Sequence, residues 1–144
     1  MIEGDPMENA RELKVIDTDV HNTFVNREEL LPYLPRVWHE QWLYGELIEN
    51  PYYSPLGGVN RKDAVTPEGH QAGSDPKFMI EHHLEPYGID YAILTGHLAI
   101  NCSLHVDPDF GSAVASAYND HLIDKWLRAD PRFKGSMVIN FSDP

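Results

Sequence analysis

The chain has one cysteine, Cys102, among 144 residues. No disulfide can close within it. Cys102 reads as an ordinary thiol, because a nucleophilic one needs a neighbouring base. Basic residues are also scarce: 11 Lys and Arg stand against 23 Asp and Glu, a formal net charge of -12. Such a surface repels phosphate backbones, which argues against nucleic-acid binding. No Lys/Arg run marks an anionic membrane partner. No apolar run approaches the ~20 residues that span a bilayer. The opening "MIEGDPMENARELK" lacks the basic and apolar regions of a secretory signal, so a reducing cytoplasm is the expected compartment. There is no internal repeat and no P-loop. No G-x-G-x-x-G follows the first strand, which leaves little room for a dinucleotide-binding reading.

What is present is globular. Hydrophobic residues make up 42% and charged residues 24%. The length suits one domain with a real core. Residues 1–13 read as a flexible polar arm. "KVID", Lys14 to Asp17, reads as a first short strand. "NREELLPYLPRVWHEQWLYGELIE" reads as helical, with Asn26 as N-cap and Glu28 and Glu29 in the first turn. Pro32 and Pro35 divide it into a short and a longer helix. Residues from about 50 to 73 carry prolines and glycines with little periodicity, and read as a long ordered loop. "GSDPKFMIEHHLEPYG" is a capped helix from Ser74 or Asp75 to Gly88. "IDYAILTG", Ile89 to Gly96, is an apolar run of strand length, as expected of a strand buried on both faces. A further helix starts at Asp107 or Asp109, buries a stripe of Phe110, Val114, Ala117, Tyr118, Leu122 and Trp126, and stops before Pro131. Met137 to Phe141 is expected as a third strand.

Alternating strands and helices predict parallel pairing with right-handed crossovers. Three parallel strands cannot bury two sheet faces alone. The expectation is therefore an α/β chain forming the first three βα units of a (β/α)8 barrel, with residues 14–144 as its N-terminal part and another chain completing it.

Functional residues of such barrels sit at the C-terminal ends of strands. Asp19 and His21, in "DTDVHNTF", lie there. Residues two apart on an extended chain point the same way, so a carboxylate and an imidazole can converge on one cation. Zn²⁺, Mn²⁺ and Fe²⁺ accept such ligands. A strand-end Asp beside a turn-stabilising His is the plainer alternative. Asn22 and Phe24 are candidates to line a substrate pocket, and His97, after the second strand, is a candidate to contact substrate. His105 is a weaker one. His39, His82, His83 and His121 read as helix packing or surface residues. His70 could belong to a loop folding over the site, and Arg61 could anchor an acidic substrate.

"VIDTDVHNTF", "GSDPKFMIEHHLEPYGIDYAILTG" and "AYNDHLIDKWLRADPRFKGSMVINFSDP" resemble, in that order, the N-terminal part of metal-dependent hydrolases of the amidohydrolase superfamily. The branch resembled is amidohydrolase-2, which also holds aminocarboxymuconate-semialdehyde decarboxylase. The resemblance implies a (β/α)8 barrel with a divalent metal, zinc foremost and manganese or iron as alternatives. It implies Asp19 and His21 as two ligands, with Asp where His-x-His motifs have His. It places the other ligands and the general acid/base on later strands, so the sequence is expected to be either a fragment of a longer chain or a small subunit completed by a second polypeptide. The activity implied is hydrolysis of a C–N bond in a small substrate, aromatic ones included, by metal-activated water. Non-oxidative decarboxylation of an aromatic or unsaturated acid is the alternative, and a non-catalytic scaffold subunit the second.

Overall fold

The computed structural model describes residues 13–45, 62–96 and 105–143. Three strands form one parallel sheet in the order β1-β2-β3: Ile16–Val20, Tyr91–Leu94 and Phe133–Gly135. After β1 come two 3₁₀ turns, Arg27–Leu30 and Arg36–Trp38, and then helix α1, His39–Tyr44. Helix α2, Pro76–Met79, continues into a π turn, Ile80–Leu84, and precedes β2. Helix α3, Pro108–His121, continues into a second π turn, Leu122–Leu127, and precedes β3. This is an α/β fold. Among the described residues no helix is long and apolar enough to cross a membrane.

Local chemistry explains the helix starts. Asp75 accepts the Phe78 amide, and Asp107 accepts those of Asp109 and Phe110, each ahead of a proline in the first turn. Such caps contribute ~1 kcal/mol each. Asn26 stands at its expected cap position but makes no side-chain cap bond. Arg27 instead serves the far end of α1: Nη1 donates to the carbonyls of Trp42 (3.2 Å) and Leu43 (3.3 Å), while Trp42 Nε1 donates to the Arg27 carbonyl (2.6 Å). A cation at otherwise unbonded C-terminal carbonyls is favourable.

The core lies on one side of the sheet. Phe110, Val114, Ala117, Tyr118, Leu122 and Trp126 are all buried, as their spacing predicts. They pack with Ala92 and Leu94 of β2 and Phe133 of β3 in one cluster.

Three expectations are corrected. The first strand is Ile16–Val20 rather than Lys14–Asp17, so Asp19 lies within it. The third strand is Phe133–Gly135 rather than Met137–Phe141. Ala92 pairs with Phe133 and Leu94 with Gly135, which uses up the edge of the short β2. Val138 is bonded to a side chain instead: Asn119 Nδ2 donates to its carbonyl (2.8 Å), and its amide donates to Asn119 Oδ1 (2.9 Å). Third, the β2 run is buried on one face only. Ala92 and Leu94 are fully buried, whereas Tyr91 is exposed and Ile93 half-buried.

Candidate functional site at the end of β1

A bulge in β1 sets the site. Asp17 pairs with Ala92, and Val20 with Leu94, so three residues of β1 advance against two of β2. Ala92 and Leu94 share the helix-covered face, so Asp17 and Val20 do as well. The displaced Asp19 and the following His21 stand on the open face. The Asp17 side chain pins this bulge, because its Oδ1 accepts the Asp19 amide at 3.2 Å.

Asp19 and His21 do converge. His21 Nε2 lies 3.1 Å from Asp19 Oδ1, and both side chains are more than half exposed. Two donors held tetrahedrally by one zinc at its usual bond lengths lie roughly 3.3 Å apart. The observed separation fits that edge, and equally fits a direct hydrogen bond. Thr95, just after β2, donates from Oγ1 to the same Asp19 oxygen at 3.1 Å. The cluster therefore bridges two neighbouring strand ends. Among the described residues no group of three or more His, Cys, Asp or Glu is placed to hold a metal. Asp19 and His21 are an open pair.

The backbone beneath this pair is tightly packed. Gly73 has φ +78°, and a Cβ there would fall 2.2 Å from the His21 carbonyl oxygen. Only a glycine fits such a close approach at that φ. Thr23 N–H also donates to the Gly73 carbonyl at 2.8 Å. Asn22 is buried, and its Oδ1 accepts from the Tyr118 hydroxyl at 3.1 Å. Asn22 Nδ2 is buried and has no hydrogen-bond partner among the described residues. Phe24 is a core residue, edge-on to Trp42 and Tyr118 with centroids at 6.1 and 6.0 Å.

The remaining candidates separate. His97 and Arg61 lie outside the described residues, as does Cys102. His105 Nδ1 accepts the Asp107 amide at 3.1 Å and its ring packs on Phe110, so it braces the start of α3. His70 is exposed, its amide bonded to Thr66 Oγ1. His39 bonds the Leu34 carbonyl at 2.8 Å.

Two histidines read as ordinary helix residues have carboxylate partners. His83 Nε2 lies 2.9 Å from Asp17 Oδ2. His121 is buried, 3.3 Å from Glu29 Oε2, while Lys125 Nζ approaches the same oxygen at 2.7 Å. Burial pushes the His121 pKa down, Lys125 adds to that, and Glu29 opposes it. Sequence reasoning missed Thr95, Asp17 and Gly73. Asp17 offered a signal, since an acidic residue at a sheet position facing a core needs a partner.

Comparison with protein-family models and with curated protein sequences gave no match. The fold defines the class: an α/β chain with a small parallel sheet.

Proposed function

We propose that this chain is the N-terminal portion of a (β/α)8-barrel, metal-dependent hydrolase of the amidohydrolase type, active when a second polypeptide supplies the remaining strands. The observation that carries the reading is the pairing of Asp19 and His21, 3.1 Å apart at the C-terminal end of β1. Their position agrees with where α/β barrels keep their chemistry. The parallel order β1-β2-β3 and the half-open sheet are consistent with an incomplete barrel. Asp19 Oδ1 and His21 Nε2 would hold the metal, and Thr95 would orient the Asp19 carboxylate. A bound zinc would supply Lewis acidity and a more acidic water. Two protein ligands make a weak site, since catalytic zinc sites use three. The third would come from the complementing chain.

The test is zinc affinity, measured by calorimetry on the full chain and on any co-purifying complex. Asp19→Ala and His21→Ala are each expected to weaken binding at least about tenfold. Unchanged affinity in both variants of the complex would refute the ligand assignment. Product analysis of the complex then separates C–N hydrolysis from decarboxylation.

A further inference from the structure

On the α2 side of the sheet, a cleft of about 210 Å³ lies between α2 with its π turn and the segments around Asp63 and Gly73. Three independent features converge on it. The π turn Ile80–Leu84 carries both His82 and His83, and both border the cleft. Such turns are rare and occur often at functional sites. Next, Asp17 reaches His83 from β1, with Oδ2 2.9 Å from Nε2. In a neutral ring, a proton on Nε2 directed at this carboxylate leaves Nδ1 as an acceptor. Finally, Phe78 and His82 stack with centroids 4.1 Å apart and planes at 28°, and Met79 extends this apolar wall. Asp63 and Asp75 bring negative charge to the same cleft.

We propose that this cleft is a binding site for a small aromatic cation, a single ring bearing an amine or a protonated ring nitrogen. A cavity of ~150 Å³ accepts benzene, so this cleft holds one ring with a short arm. The ring lies against Phe78 and Met79, an N–H donates to His83 Nδ1, and the positive charge faces Asp63 and Asp75. Aromatic carboxylates are disfavoured by the same two acids. A mere tie between strand and helix requires neither the π turn nor the adjoining space. The site shares no side chain with the Asp19–His21 pair and stands or falls apart from the metal reading.

Benzylamine is the probe, followed by NMR of the histidine ring protons. The expected result is a saturable shift of the His82 and His83 signals, with a dissociation constant on the order of 1 mM. Phenol should bind more weakly and benzoate should leave the signals in place. Met79→Trp should abolish the shift by filling the cleft, and Ala64→Leu should weaken it. His83→Gln should weaken binding about tenfold, followed through His82. Absence of saturable benzylamine binding overturns the proposal. So does binding that survives Met79→Trp in a variant that keeps its fold. If Met79→Trp does not fold, unaltered binding in Ala64→Leu and His83→Gln overturns it instead. Equal binding of benzoate also overturns it.

Discussion

Strand β1 presents two Asp–His pairs that start two residues apart and face opposite ways. Asp19 and His21 lie on the open face with 74% and 57% of their side chains exposed. Asp17 and His83 lie on the helix-covered face, at 31% and 37%. The first pair is local, made by one strand end. The second joins residues 66 apart in sequence and ties a helix to the sheet. An exposed pair adds little to stability, because water screens it and both side chains lose freedom. A shielded, hydrogen-bonded pair adds more. Similar chemistry thus meets different surroundings: the outer pair faces solvent from one strand end, and the inner one ties helix to sheet beside a cleft.

Four substitutions break or sharpen this contrast. The largest effect is expected from Gly73→Ala. Its φ of +78° and the 2.2 Å approach to the His21 carbonyl leave no room for a Cβ. A loss of about 3 kcal/mol in urea unfolding is expected, with displaced His21 ring signals. A stable variant with unmoved His21 would show that the loop does not brace the outer pair.

Next is Asp17→Ala against Asp19→Ala. Removing Asp17 strips both His83 and the bulge amide of Asp19 of their acceptor. A loss of about 1–2 kcal/mol is expected, allowing for partial exposure. Asp19→Ala should stay within about 0.5 kcal/mol. Equal losses would erase the distinction between the two faces.

The last effect is that of acid on a third pair, His121 with Glu29. The His121 pKa is pushed below its ordinary 6.5 by burial. Its Nδ1 is buried without a partner among the described residues, so a proton there meets no acceptor from them. Below pH 6.5 the unfolded chain takes up a proton that the folded chain resists. Stability from this group is therefore full above that pH and falls as pH drops towards the folded value, at most by about 1.4 kcal/mol per unit. His121→Gln should flatten that slope in melting curves taken across this range. A slope unchanged by the substitution would assign it to other groups.

Much of this was legible in the sequence. Capping residues and prolines marked where α2 and α3 begin, because N-cap chemistry is local. The α3 stripe identified its buried face, because helical periodicity is fixed by backbone geometry. Two-residue periodicity also made Asp19 and His21 point the same way. That rule would have placed Asp17 beside them. The bulge overturned it, and a bulge depends on how a neighbouring strand pairs. The choice of Phe133–Gly135 over Met137–Phe141 as third strand was likewise decided by pairing with β2 and by the Asn119 side chain, 19 residues away from Val138. By itself the sequence determined where α2 and α3 begin, which face of α3 is buried, and the reach of one Asp-x-His pair. Only the tertiary structure decided which face each carboxylate occupies, since that follows from contacts between distant segments, which no local pattern encodes.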